Sequence, residues 1–163
     1  MTIEAVVEHP VEEELYRHPF LAGLAPEHLE ELAGIARAAQ FDVDEVILEQ
    51  GEESTQLYLI TSGRVALEIS GMPRPFRVDT LGAGDEFGWS WALGAPGVYQ
   101  VRALEPTAAL VVPASELAKL CEADAAFGYA LMRRLLGVVA ERLQSTRTTL
   151  TDTYLPAARR AGA

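Results

Sequence analysis

The segment 81–97 carries the residues of this chain whose types and spacing could do chemistry. Three glycines, an aspartate and a glutamate lie within the run from Gly82 to Gly88. Glycines at this density predict tight turns in which the backbone approaches a neighbour closely. The amides from Gly88 to Ser90 then open a short helix, and free amides at such a place can hold an anion. We call residues 81–97 the cassette.

The residue types and spacing of this sequence do not fit an enzyme active site or a metal site. The run Gly88–Ala92 has a serine at the spacing of a hydrolase nucleophile elbow, which needs a histidine later in the chain. All three histidines (His9, His18 and His28) come earlier. One cysteine and these histidines lack the spacing of zinc, haem or iron–sulfur ligands. We predict that the chain is not an enzyme and that the histidines are surface or capping residues.

Composition limits the partners. The chain has 163 residues, is 49% hydrophobic and carries a formal charge of −11. This suits one globular domain, and the acidic surface disfavours nucleic acid and anionic lipid. The single cysteine, Cys121, is expected to be a packing thiol. Because one cysteine cannot form a disulfide within the chain, we predict a cytoplasmic protein. The longest apolar run, 135–140, is too short to cross a bilayer, and no secretion signal is seen.

Elements of two kinds must position the cassette. Proline and acidic residues open a helix at 25–33, and the last third is helical again from Ala114. Between them, short β-rich runs alternate with turn residues, which is typical of a β-barrel or jelly roll. The predicted strands are 46–50, 56–60, 64–69, 76–79, 99–103 and 108–112.

The helix that begins at Asp124 carries two apolar faces. Leu131, Leu135 and Val138 are expected to face the barrel. A second set recurs at alternating spacings of four and three, which is a heptad seam. The seam predicts a parallel homodimer; the alternative is one wide apolar face packed on its own barrel. The predicted dimer contacts are Met132, Leu136, Val139, Leu143 and Leu150.

In order along the chain, Gly51, the run Leu57–Val65 and the run Gly84–Gly88 are the landmarks of a known family. From about His18 to Tyr154 the chain resembles the cyclic-nucleotide-binding domain, the sensor of catabolite-activator-type transcription factors, of cyclic-nucleotide-dependent kinases and of gated channels. The resemblance implies an α+β, mainly β fold: a double-stranded β-helix or jelly roll flanked by N-terminal helices and a long C-terminal helix.

The whole chain, 1–163, is expected to be one such domain. Its parts are N-terminal helices 1–38, a β-roll 39–113 with the cassette 81–97, C-terminal helices 114–154 that include the long dimerisation helix 124–154, and a flexible tail 155–163. No helix-turn-helix follows the long helix, so a DNA-binding regulator is not expected.

Two cassette positions depart from the family pattern. The family's glutamate for the ribose 2′-hydroxyl corresponds to Trp89, and its arginine for the cyclic phosphate corresponds to Gly97. Each charged hydrogen bond of this kind contributes about 1.5–3 kcal/mol. High-affinity binding of cAMP or cGMP in the usual mode is therefore not expected.

The resemblance still implies a set of ligand contacts. Arg142 and Thr146 match positions on the helix that closes over the base, and Leu67 and Val78 match apolar wall positions. No cofactor is assigned; the candidate ligands are a cyclic nucleotide or another small anionic or aromatic molecule. The predicted ligand-binding residues are Leu67, Val78, Phe87, Gly88, Trp89, Ser90, Gly97, Val98, Tyr99, Arg142 and Thr146.

Two functions remain open. In the first, the domain senses a small ligand, with Trp89 stacked on it, and acts as a dimer on a separate, unidentified effector protein. In the second, it is a constitutive dimeric scaffold or subunit whose pocket is filled by its own tryptophans, Trp89 and Trp91.

Overall fold

Helices begin the described part of the chain. The computed structural model describes residues 10–71 and 73–161, and of residues 155–161 only the backbone. Helix α1 (Val11–Arg17) is followed by a 3-10 turn (Pro19–Leu21) and by α2 (Pro26–Ile35). Pro26 opens α2 as expected, because the first turn of a helix does not need its N–H.

A roll of strands follows the first helices. Its two four-stranded antiparallel sheets have the orders β1-β8-β3-β6 and β2-β7-β4-β5. This arrangement, with helices on either side in sequence, confirms the α+β jelly-roll fold. The strands are β1 (Arg37–Phe41), β2 (Val46–Leu48), β3 (Gln56–Ser62), β4 (Arg64–Ile69), β5 (Phe76–Gly82), β6 (Glu86–Phe87), β7 (Gln100–Ala103) and β8 (Thr107–Pro113).

The sequence pattern does not predict β1 or β6. Strand β1, with the sequence RAAQF, begins inside the segment assigned to helices because alanine, arginine and glutamine favour helix. It is a strand because each of its residues pairs with β8, from Arg37 opposite Val111 to Phe41 opposite Thr107. Strand pairing and burial outweigh intrinsic propensity here. Strand β6 has two residues, too few for a periodic pattern.

The core has two parts, separated by the sheet that contains β3. Leu57 and Leu59 of β3 join an apolar cluster with the helices, whereas Tyr58 and Ile60 join a second cluster inside the roll. Successive strand side chains point to opposite faces, so a strand covered on both sides reads as a continuous apolar run. This explains the sequence LYLI at 57–60.

The C-terminal helices cover the outer face of that sheet. Helix α3 (Ala114–Ala123) is followed by α4 (Ala125–Ala161). The carboxylate of Asp124 accepts the amide protons of Ala126 and Phe127 and so caps α4. Four side chains of α4 lie buried against the helical cluster: Phe127, Leu131, Leu135 and Val138.

Helix α4 continues beyond the predicted end at residue 154. Its backbone is helical to Ala161, in the segment expected to be a flexible tail; residues 162–163 lie outside the described part of the chain. The alanines and arginines of 157–161 favour helix, although Pro156 lacks the N–H that would bond to residue 152. Among the described helices, none has the length and hydropathy needed to cross a membrane.

Candidate ligand-binding cleft

The cassette folds as a sequence of turns around the short strand β6. The carboxylate of Asp85 accepts the amide proton of Gly82 at 2.9 Å and closes the turn after β5. Strand β6 ends at Phe87, and the next residue, Gly88, has φ +87° and precedes a 3-10 helix at Trp89–Leu93. The chain leaves the cassette through a loop that reaches β7 at Gln100.

Gly88 is required by both conformation and space. A Cβ atom at this position would lie 2.5 Å from the carbonyl oxygen of Gln56 and 2.9 Å from the hydroxyl oxygen of Ser54. Its φ is also in the left-handed region that side chains disfavour. The preceding residue, Phe87, stacks on Tyr58 with ring centroids 4.5 Å apart. The glycine thus lets β6 lie directly against β3.

A cleft opens between the cassette, the inner strands and α4. It encloses about 30 Å³ of free volume, far below the roughly 300–1,000 Å³ of sites for drug-sized ligands. We call it the cassette cleft. Its lining residues are Leu48, Leu67, Phe87, Gly88, Trp89, Ser90, Gly97, Val98, Tyr99, Val101 and Arg142.

The predicted site residues largely meet in this cleft. Except for Val78 and Thr146, all of them line it. Val78 lies on β5 away from the cleft, and the Thr146 hydroxyl donates to the carbonyl oxygen of Arg142 within α4. Two lining residues, Leu48 and Val101, were not predicted. The two-residue period of a strand was a usable signal for Val101, because it places that side chain on the same face as Tyr99.

Both backbone polar groups of Gly97 are hydrogen-bonded to the loop before β3. Its N–H donates to the carbonyl oxygen of Glu52 at 2.8 Å, and its own carbonyl oxygen accepts the N–H of Gly51 at 2.9 Å. A Cβ atom at residue 97 would lie 3.1 Å from the oxygen of Glu52. Nearby, the buried Ser90 hydroxyl oxygen accepts the N–H of Ser54 at 3.1 Å. At the position expected to bind a phosphate, the Gly97 amide and the Ser90 hydroxyl oxygen are therefore already hydrogen-bonded within the protein.

The two tryptophans face the helices more than the cleft. Trp89 lines the cleft, but both it and Trp91 pack against the helical cluster on the other side of the sheet. The Trp91 indole N–H is buried and, among the described residues, has no hydrogen-bond partner. Of the two indoles, only that of Trp89 is part of the cleft lining.

Arg142 connects α4 to the cassette. Its guanidinium donates to the backbone carbonyl of Glu86 at 2.9 Å and to the Glu86 carboxylate at 3.3 Å. It also lies 3.9 Å from the carboxylate of Asp79, which accepts the Ser145 hydroxyl at 3.0 Å. The Arg142 and Glu86 side chains are 13% and 8% exposed. Among the described residues that line the cleft, Arg142 is the one cationic side chain, and it is paired with carboxylates.

Burial dominates the protonation of Glu86. It raises the pKa of the carboxyl from its ordinary 4.5 to about 7, although the charge of Arg142 acts in the opposite direction. The nearby carboxylates of Asp85 and Glu141 add to the rise. A charged group is disfavoured where water cannot reach it. Glu86 therefore titrates near neutral pH.

Both described histidines are buried, and His18 has the capping role that the sequence predicts. His18 and His28 are buried rather than on the surface; His9 lies outside the described residues. His18 caps the 3-10 turn by accepting the N–H of Phe20, as expected of a capping residue, and its Nε2 lies 3.0 Å from the Ile60 carbonyl oxygen. Burial lowers the pKa of His18. His28 contacts the Asp124 carboxylate at 2.9 Å and so fixes the start of α4.

Cys121 is half-buried, and burial raises the pKa of its thiol. A thiol with a raised pKa is a poor nucleophile, in line with the packing role expected from the sequence.

The predicted seam of α4 is exposed in this chain. The exposed fractions are 37% for Met132, 69% for Leu136, 71% for Leu143 and 54% for Leu150. Val139, the fifth predicted contact, is half-buried, so most of the seam, but not all of it, faces away from the chain's own core. The exposure of the other four side chains leaves an apolar stripe.

Comparison with known proteins assigns the family. The family model described as "Cyclic nucleotide-binding domain" matches residues 39–124, more than half of the chain. No curated protein matches.

Solved structures show the same fold. A protein from Geobacter metallireducens GS-15, named for cyclic nucleotide binding, is 26% identical with a TM-score of 0.71, over 84% of this chain and 99% of that one. A cyclic nucleotide-binding domain from Methylobacillus flagellatus KT is 20% identical, with a TM-score of 0.72, and the match covers 91% of this chain and 82% of that one. The catabolite activator protein of Thermus thermophilus is 24% identical, with a TM-score of 0.65, and the match covers 81% of this chain and 61% of that one. The chain belongs to the cyclic nucleotide-binding domain family.

Proposed function

We propose that the protein is a regulatory domain that senses a small ligand in the cassette cleft and responds through α4. The observation that carries this proposal is the double role of Arg142. This side chain is part of the cleft wall, and it is also the contact from α4 to Glu86. A ligand that enters the cleft meets Arg142, so occupancy changes how α4 is held.

The ligand is not bound as the family binds cAMP. Trp89 and Gly97 stand where the two charged contacts are expected, and the Gly97 amide already donates to Glu52. An anion would also have to compete with Glu86 and Asp79 for Arg142. The walls are mostly apolar or aromatic. These features favour a flat aromatic ligand over a phosphate recognised by charge.

The output is a change in a homodimer that a separate effector protein reads in the cytoplasm. The exposed stripe of α4 supports this part of the proposal, because a heptad seam left uncovered suits a second copy of the same helix. The predicted contacts are Met132, Leu136, Val139, Leu143 and Leu150.

The alternative, a constitutive dimeric scaffold, is favoured by one observation. The cleft has a free volume of about 30 Å³, which accommodates only water-sized occupants. In a scaffold this closed state is permanent. In a sensor the cleft widens when α4 or the loop 94–99 moves.

A thermal-shift screen separates the two functions. The probes are cAMP, cGMP, cyclic dinucleotides, nucleoside phosphates and small organic anions. A ligand at a hundredfold its Kd stabilises the fold by about 2.7 kcal/mol, a rise of several degrees in Tm. The proposal expects a rise with at least one probe that Trp89→Ala and Arg142→Ala reduce, whereas Arg77→Ala, on the exposed surface of β5, keeps it. Flat melting curves with every probe would favour the scaffold.

A further inference from the structure

The two parts of α4 are attached to the domain in different ways. Its last buried side chain is Val138; from Val139 to Tyr154 no described side chain is fully buried. We call residues 139–154 the distal half of α4. Two of its side chains, Arg142 and Ser145, make hydrogen bonds to the roll, and their partners are Glu86 and Asp79. The distal half is therefore held by polar contacts.

Glu86 lies under this part of the helix. It sits on β6, the edge strand of its sheet, directly opposite Leu59 of β3. Residues directly opposite each other in an antiparallel pair share a face, and Leu59 belongs to the cluster that faces the helices. Since Arg142 covers the carboxylate from above, release of the distal half exposes Glu86 to water.

The charges around Glu86 come from several elements. Helix α4 contributes Arg142 and Glu141, and the turn before β6 contributes Asp85. On β5, Asp79 faces the same guanidinium. On the N-terminal side, His18 interacts with Asp85. On β3, the residue opposite Glu86 is the uncharged Leu59. Carboxylates outnumber Arg142 here, so the closed arrangement favours a neutral Glu86.

We propose that closure of the distal half of α4 is coupled to proton uptake by Glu86, so that the helix is held most firmly at mildly acidic pH and its closure weakens as pH rises to neutrality. This inference rests on the proposed function in taking α4 as the responding element. A buried carboxyl binds a proton more tightly than a solvated one. Linkage then requires the proton to favour the closed state. The contacts of Arg142 with the Glu86 carbonyl and with Asp79 persist after protonation, so the neutral form keeps the helix in place.

The sign of the effect follows from the raised pKa. In the closed domain the carboxyl of Glu86 has a pKa of about 7, against 4.5 ordinarily. Between these values the closed state holds the extra proton, and the preference for closure declines as pH rises through about 7. From about pH 6 to about pH 8, this single group changes the closing equilibrium about tenfold.

Hydrogen exchange of the ligand-free, full chain tests the proposal. Peptides from the distal half are compared with peptides from 125–138 at about pH 6 and about pH 8, after correction for intrinsic exchange. We expect protection of the distal half to fall about tenfold with rising pH, while 125–138 stays unchanged. In Glu86→Gln, protection of the distal half stays high at both pH values.

A matched control is Glu105→Gln, which removes a carboxylate from an exposed pair with Arg64 and should keep the wild-type pH response. Distal protection that is independent of pH, or that rises with pH, overturns the proposal, as does a wild-type pH response in Glu86→Gln. Since no ligand is present, this result is independent of the ligand screen, so failure of either proposal can be recognised separately.

Discussion

The two halves of α4 belong to one continuous helix and yet are held by different forces. The first half, 125–138, buries Phe127, Leu131 and Leu135 in the helical cluster. The distal half contacts the roll through Arg142 and Ser145 and leaves its apolar seam exposed. Hydrophobic burial does not depend on pH, whereas contacts among carboxylates and a guanidinium do.

The difference teaches where this domain can change its state. Segments with few buried apolar contacts open at low free-energy cost, and moving elements are drawn from them. The first half of α4 is part of the core and moves only with it. We therefore expect the distal half to be the part that responds to a ligand, a proton or a partner while the core stays folded.

The largest effect is expected in the first half. Leu131 is 1% exposed, and Leu131→Ala should lower the free energy of unfolding by about 2–5 kcal/mol, through lost burial and the cavity left behind. Urea unfolding followed by circular dichroism measures this change. The matched control is Leu136→Ala on the exposed side of the same helix, measured at a concentration where the chain is monomeric, with an expected change within about 0.5 kcal/mol. Equal losses in the two variants would contradict the comparison.

A smaller and pH-dependent loss is expected for Arg142→Met. At about pH 8 it leaves the carboxylates of Glu86 and Asp79 without their cation and should cost about 2–3 kcal/mol, less than for a fully buried pair because Asp79 is partly solvated. At about pH 5 Glu86 is neutral, so the loss should be smaller. Urea unfolding at the two pH values gives both numbers. The same loss at both pH values would show that Arg142 acts by packing alone.

Glu86→Gln should have the opposite sign. Because burial raises the pKa of Glu86 to about 7, its ionisation in the folded state costs stability, and this cost appears as pH rises from 4.5 through about 7. The glutamine variant should be more stable than the wild type by about 3 kcal/mol at about pH 8 and by about 1 kcal/mol or less at about pH 5. Thermal unfolding across this range measures the difference. A variant that is less stable at pH 8 would mean that the ion pair outweighs the burial of the charge.

The smallest change in folding stability, with the largest change in assembly, is expected in the seam. Leu143 is 71% exposed, so Leu143→Glu should alter monomer stability by less than about 0.5 kcal/mol. In a dimer built on the seam it places like charges opposite each other and should shift the chain to monomer. Sedimentation velocity distinguishes the two states. Thr148→Glu, which adds the same charge at another exposed position of α4, should remain dimeric.

Much of the fold was predictable from local pattern. The apolar run at 57–60 and the turn glycines predicted the roll, and the two apolar stripes of α4 were separated correctly into buried and exposed faces. Strand β1 was not predictable, because its alanines and arginine favour helix and only the pairing with β8 makes it a strand. The cleft residues were found mainly through the family resemblance, and Val78 and Thr146 were carried over by that resemblance to places away from the cleft.

The sequence by itself predicted most of the elements and the cassette glycines, because residue type, period and turn chemistry are local properties, whereas β1 depended on its pairing with β8. Tertiary structure decided the charge balance of the cleft. Glu86, Asp79 and Arg142 are far apart in the chain, and their meeting depends on how α4 lies across the roll. Tertiary structure also decided the backbone hydrogen bond from Gly97 to Glu52. Protonation and access depend on such long-range neighbours, which a local pattern does not contain.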